Sequence, residues 1–237
     1  MSEPRIALVA EGPTDRIVIE AALKAILARP FVLTQLQPEA TRPDMGSGWG
    51  GVFKWCQQFR QRGAACIEAD ATLSGFDLVI VHLDADVADK TYADCGEAVA
   101  QAAASLLPLP CARPCPPPGD TVAALEAVLM NWLGLASALP ATGARSLFCI
   151  PSKASESWLA AAVLPPGHAL LTGLECRADL ETRLGALPKA HKIRKTQRDY
   201  QGRASQVTSN WTTVTTYCPQ AAAFTQQVGH IAKTFPP

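Results

Sequence analysis

Two short apolar runs, each stopped by acid, constrain this chain more than any other feature. Residues 5–10 (RIALVA) end at Glu11-Gly12-Pro13, and residues 78–83 (LVIVHL) end at Asp84-Ala85-Asp86. Continuous apolar runs of this length suit strands buried on both faces of a parallel sheet. Between them the pattern reads helix, strand, helix. A helix follows Pro13, a strand is expected at 31–36, and a glycine-dense loop at 46–51 leads into a helix over 52–62. Thr14 is expected to cap the first of these helices. The first 86 residues thus predict an α/β fold with a mostly parallel sheet flanked by helices.

Beyond residue 86 the signals are sparser. Residues 108–119 (PLPCARPCPPPG) are too proline-rich for a helix or a central strand and read as a linker or loop. A helix over 122–133, a short strand at about 146–151 and a helix opening at Ser155-Glu156 follow. The last helix is expected over 220–233. The division this predicts is an α/β core over 1–107, the proline-rich break, and a segment over 120–237 that completes the sheet and adds helices. The apolar stretch 122–139 carries Glu126 and Asn131 well inside it, which argues for a core helix over a membrane span. The N-terminus has acidic residues where an export signal needs a basic and then apolar run, so a cytoplasmic protein is expected. The eight cysteines are scattered singly and are expected to be reduced thiols, several of them small core residues.

In a parallel α/β sheet, chemistry gathers at the carboxyl ends of the strands. The first strand delivers Glu11 to that edge, and the third delivers Asp84 and Asp86, two apart and therefore facing one way. Asp15 falls in the first turn of the helix beside them. Acids converging there repel one another unless a cation sits among them, and an oxygen-only set favours Mg²⁺, Mn²⁺ or Ca²⁺. His82 shares the parity of the two aspartates, although a buried structural histidine is the commoner case.

These residues resemble a known module. LVAEGPTDRIVIEAAL, followed after a strand and a helix by LVIVHLDADVADK, is similar to the Toprim domain of topoisomerases, bacterial-type primases and OLD-family nucleases. The signature is a strand ending in Glu-Gly and a later strand ending in Asp-x-Asp, here Glu11-Gly12 and Asp84-Ala85-Asp86. A narrower resemblance, to stand-alone bacterial Toprim-like proteins, extends to FCIPSKASESWLAAAV, whose Glu156-Ser157-Trp158-Leu159-Ala160-Ala161 matches a Glu-x-Trp-Leu-x-Ala helix. Where an aspartate often follows, this chain has Ala162-Val163. The resemblance implies a Rossmann-like sheet with a helical C-terminal elaboration. It also implies Mg²⁺ or Mn²⁺ held by Asp84 and Asp86, with Glu11 as a further ligand or a proton-transfer group, and Glu156 as a further catalytic acid beside Glu11, Asp84 and Asp86. Asp15 is a further candidate ligand by its position at the same edge. The activity it implies is phosphodiester cleavage in nucleic acid, DNA ahead of RNA, in prokaryotic defence or DNA processing, with an ATPase subunit as partner.

The balance of 21 basic and 21 acidic residues excludes a polycation-style nucleic-acid binder. The balance conceals a basic strip over 189–203. Lys189, Lys192, Arg194, Lys195, Arg198 and Arg203 stand there against Asp199 alone, a surface that can bind phosphates, with His191, Tyr200 and Trp211 near enough to stack a base. The glycine-dense loop could offer backbone N–H groups to a phosphate, but it lacks Gly-Lys-Ser/Thr and predicts no ATPase activity. Two other readings compete. One is a non-catalytic Toprim-like binding or scaffold subunit. The other is a haloacid-dehalogenase-type phosphatase, whose Asp-x-Asp-x-Val motif LDADV fits but whose fold normally opens with that motif.

Overall fold

A computed structural model describes residues 2–39, 41–136, 144–189 and 191–235. Four strands form one all-parallel sheet: β1 (Arg5–Val9), β2 (Val32–Gln37), β3 (Leu78–His82) and β4 (Ser146–Cys149), in the order β2-β1-β3-β4. The helices are α1 (Pro13–Leu27), α2 (Gly48–Gln61), α3 (Glu97–Ala102), α4 (Gly119–Leu133), α5 (Glu156–Val163), α6 (Leu180–Ala186), α7 (Gln197–Ser209), α8 (Trp211–Tyr217) and α9 (Pro219–Ala232). The expected α/β architecture with a helical C-terminal elaboration is present. The end of the apolar stretch, residues 137–139, lies outside the described residues.

Strand residues alternate between two cores, as a period of two requires. Ile6, Leu8, Leu78, Ile80, Leu147 and Cys149 face a core shared with α1, α5 and the C-terminal helices. Ala7, Val9, Val79, Val81 and Phe148 face a second core with α2 and α4. Both faces are covered, which is why the strands read as unbroken apolar runs. The connection through α1 leads from β1 to β2 on one side. The connection through α2 crosses to β3 on the other side of β1. The sheet therefore reverses its winding between β1 and β3, and α/β sheets bind ligands just beyond the strand ends at such a switch point. Glu11 follows β1 and Asp84 follows β3.

Three local expectations are corrected. Thr14 does not cap α1: Gly12 takes the cap position, Pro13 opens the helix and Thr14 is buried within its first turn. Most of the glycine-dense segment is the first turn of α2, and its Gly48 N–H is spent on the Glu11 carbonyl at 2.8 Å, so it offers no phosphate loop from that group. The cysteines divide. Cys56, Cys149 and Cys218 are buried thiols as expected, whereas Cys115 and Cys176 form a disulfide. The proline-rich stretch makes this pairing by running back against the body of the protein. Cys111 and Ala112 donate their N–H groups to the Ala88 carbonyl, at 2.8 and 3.1 Å, and Cys115 lies with its Cα 5.6 Å from that of Cys176.

Beside that disulfide lies Glu175, which is buried and accepts the Gln220 N–H at 3.1 Å in the first turn of α9. Burial pushes its carboxyl from the ordinary 4.5 up to about 7, with the Gln220 N–H pulling the other way. The native state then holds this proton more tightly than the unfolded chain does. Its contribution to stability is full below pH 4.5, declines as pH rises to about 7, and is flat above. Glu175→Gln is expected to remove about 2–3 kcal/mol of that decline. Urea titrations of both proteins at pH 5 and pH 8 check this, and identical pH dependence in the two would refute it.

Candidate functional site

The carboxyl edge is assembled by backbone hydrogen bonds that continue the sheet past its last formal residues. Beyond β3, the N–H groups of Leu83, Ala85 and Asp86 donate to the carbonyls of Cys149, Pro151 and Lys153, at 3.2, 3.1 and 2.9 Å. Lys153 reaches this geometry with φ +59°, a left-handed conformation uncommon for a residue with a side chain. The Asp-x-Asp segment is thus fixed by the loop between β4 and α5. The Asp84 N–H in turn donates to Glu11 Oε1 at 2.8 Å, tying the ends of β1 and β3 together across the switch point.

Around Asp84 the side chains interlock. Its Oδ1 accepts the Ser155 N–H at 3.0 Å, and the Ser155 hydroxyl donates to Asp15 Oδ1 at 2.7 Å. The neighbouring residue, Glu156, receives the Tyr200 hydroxyl at 2.6 Å and the Lys195 ammonium at 3.1 Å on the same oxygen, Oε1. Its Oε2 is buried without a partner among the described residues. His82 is fully buried at the end of β3, with Nε2 3.2 Å from Asp84 Oδ1 but off the line a hydrogen bond needs. One donor atom from each of Glu11, His82 and Asp84 lies within 4.8 Å of the other two.

The electrostatics follow from crowding. Burial raises the Asp84 carboxyl well above the usual range, and Asp15 and Glu156 push it further. Burial likewise raises Glu11, with Asp84 adding to the shift and His82 pulling it back. Asp86 is also raised by burial, while Lys90 and Lys195 draw it down. Burial works against the Lys195 charge, yet Glu156 beside it outweighs burial and moves its ammonium to a higher pKa. An edge whose carboxylates are forced toward protonation suits a cation, because a divalent ion among them reverses the penalty. The donor set fits such an ion: hard carboxylate oxygens, oriented by backbone N–H groups, with one imidazole.

The expected site residues are therefore gathered unequally. Glu11 and Asp84 meet directly, and Asp15 joins them through Ser155. Asp86 stands on the rim with its side chain 45% exposed. It lines a cleft of ≈ 70 Å³ together with Asp84, Glu156, Arg177, Glu181 and Lys195. A larger groove of ≈ 520 Å³ runs between α1 and α7, lined by Ile17, Lys24, Ala204 and Thr208 among others. Volume alone would choose that groove, but Asp84, Asp86 and Glu156 line the smaller cleft.

The basic strip is not one surface. Lys195 turns into the cleft, between Glu156 and Glu181. Lys189, Lys192, Arg194 and Arg198 are exposed around the start of α7, and Arg203 contacts Gln206 at 3.3 Å. The expected base-stacking aromatics are corrected: Tyr200 is buried against Glu156, and Trp211 is buried edge-on to Trp158, because both serve the core between α5 and the C-terminal helices. Sequence reasoning missed Ser155 as a site residue and gave Tyr200 a different role. A serine one residue before a helix and a tyrosine four residues into another carry no signal until α5 and α7 are seen to meet.

No protein-family model matches this chain, no curated protein matches it, and no solved structure matches it. Among the described residues, no helix is long and apolar enough to cross a membrane.

Proposed function

We propose that this protein is a divalent-cation-dependent phosphodiesterase of the Toprim type, acting on nucleic acid, with DNA ahead of RNA as its substrate. The observation that carries the reading is the convergence of Glu11 and Asp84, from different strands, at the switch point of a parallel sheet. Glu11 and Asp84 would hold the cation, Mg²⁺ or Mn²⁺, with Asp86 and Asp15 close by. When bound, such an ion neutralises phosphate charge, lowers the pKa of water and stabilises a leaving oxygen. The chain's own residues do the positioning. The Ser155 N–H orients Asp84, the Asp84 N–H orients Glu11, and Lys195 keeps a positive charge at the cleft where a phosphate would sit. The exposed cations at the start of α7 give the rest of a strand something to lie against. Prokaryotic defence or DNA processing alongside an ATPase subunit is the setting this reading implies.

One observation favours the second reading, a non-catalytic binding or scaffold subunit: Glu156 is occupied by Lys195 and Tyr200, and the cleft is small. A substrate panel separates the two. Supercoiled plasmid, linear duplex, single-stranded DNA and structured RNA are incubated with Mg²⁺ or Mn²⁺ and wild type, Asp86→Asn or Glu11→Gln. Metal-dependent cutting of DNA by wild type, lost in both variants, is expected. Absence of cutting by folded wild type, alone and with an ATPase partner, would hand the case to the binding subunit.

A further inference from the structure

We infer that His82 is a nitrogen ligand of this cation centre, and that the centre therefore takes a first-row transition dication such as Mn²⁺ in preference to Mg²⁺. The inference rests on the reading of the carboxyl edge as a cation site and adds the ligand that decides which cation it holds.

The orphaned imidazole carries the argument. His82 is 0% exposed, and among the described residues neither Nδ1 nor Nε2 has a hydrogen-bond partner. Buried polar groups are nearly always satisfied, and one that is not carries the full cost of its lost hydration. Leu78 and Ile80 precede His82 on the same face of β3, and a third aliphatic side chain would end the strand there without that penalty.

Two ways of accounting for the ring by protein contacts alone fail. As an imidazolium it would carry two donors, and the carboxylate oxygen beside it, Asp84 Oδ1, is out of line at 3.2 Å. As a neutral ring it would present one donor and one lone pair, both unmet. A cation between the ring and the carboxylates takes up the lone pair and the surplus negative charge together.

The spacing suits this. Two donors 3.2 Å apart, each about 2.1 Å from a shared ion, subtend about 100° at it, between the octahedral and tetrahedral angles. Glu11 supplies the third donor within the same 4.8 Å span. Its Oε1 is held by the Asp84 N–H, and Asp84 Oδ1 by the Ser155 N–H, so both carboxylates are already oriented.

Mixed nitrogen and oxygen donors discriminate among ions. Mg²⁺ is bound almost wholly through oxygen and water. Imidazole suits transition dications, and Mn²⁺ accepts both donor types. His82 thus converts an acid cluster that an alkaline-earth ion could fill into one that ranks Mn²⁺ above Mg²⁺.

Pulsed EPR of the Mn²⁺-loaded wild type tests this directly. Nitrogen modulation from a directly bound ¹⁴N is expected, changing to the ¹⁵N pattern when histidine is ¹⁵N-labelled. Equilibrium titrations should show Mn²⁺ bound at least about 10-fold more tightly than Mg²⁺. His82→Gln should lose about 10-fold or more in Mn²⁺ affinity with little change for Mg²⁺. If that variant fails to fold, the wild-type spectra still decide. Mn²⁺ bound without nitrogen coupling, or with coupling that survives in folded His82→Gln, overturns the ligand assignment and leaves the cation site standing. Absence of binding of either ion by folded wild type overturns both.

Discussion

Asp84→Asn is expected to make the metal-free protein more stable while lowering cation-dependent cleavage by about a thousandfold. The two effects share a cause. Asp84 is buried beside Asp15 and Glu156, with the Glu11 carboxylate on its own N–H, so its negative charge is opposed from several sides at once. An asparagine keeps the shape and the Oδ1 acceptor for the Ser155 N–H but drops the charge. Removing an uncompensated buried charge returns about 1 kcal/mol or more. A bound cation supplies several kcal/mol of charge stabilisation to phosphodiester cleavage, and losing a principal ligand forfeits most of it, hence about three decades in rate. The pH dependence has a fixed sign. The carboxyl pKa is raised in the folded state, so the native protein takes up a proton that the unfolded chain releases, and the wild type loses stability as pH rises. The stability advantage of Asp84→Asn is therefore greatest at alkaline pH and fades in acid. Urea titrations without metal at pH 5 and pH 8, paired with the cleavage assay, check both halves. A variant destabilised at pH 8 would mean that the charge of Asp84 is already compensated by protein groups.

The second large effect concerns the Cys115–Cys176 disulfide. It closes a loop of 61 residues that contains α4 and β4, so it ties the sheet's last strand into a covalent ring. Chain-entropy reasoning assigns a crosslink of this span about 4 kcal/mol, exerted on the unfolded state. Reduction by a dithiol, or Cys115→Ser with Cys176→Ser, is expected to lower unfolding free energy by up to that amount. The urea slope m should rise as the unfolded chain opens further. Residue 176 adjoins Arg177, which lines the cleft, so the double variant should also weaken cation binding if the crosslink holds that wall. Stability within about 0.5 kcal/mol of wild type under oxidising conditions would show that the crosslink contributes little.

Much of this architecture was legible because the sheet is buried on both faces. Residues 5–10 and 78–83 had to be continuous apolar strands, and Glu11 and Asp84 had to stand where those strands ran out. The helices α5 and α9 showed themselves by an acid-led opening and an apolar spacing. What stayed hidden depended on partners far away in sequence. The ring of His82 sits in an apolar run that reads as core, and it becomes conspicuous only when Glu11 is seen across the sheet. Tyr200 and Lys195 read as part of a basic, aromatic strip, yet α7 packs on α5, and Tyr200 within it and Lys195 just before it both reach Glu156. The Cys115–Cys176 pairing could not be read from spacing, since eight scattered cysteines admit many pairings. Thr14 looked like a cap because it precedes an apolar helix, but Pro13 already had a backbone angle fit for the first turn.

The backbone ladder that runs on from β3 to Lys153 has a consequence for how the chain is made. Glu11 and Asp84 are synthesised well before Ser155, Glu156 and Lys195, and the N–H that orients Asp84 belongs to a residue 71 positions later. A nascent chain that has emerged only through β3 holds both carboxylates without the loop that seats them or the lysine that borders them. Contacts of such long sequence separation form slowly, because the intervening chain must first be closed into a loop. The acidic edge is therefore completed late in synthesis, and until then the growing polypeptide lacks the arrangement proposed to hold a cation.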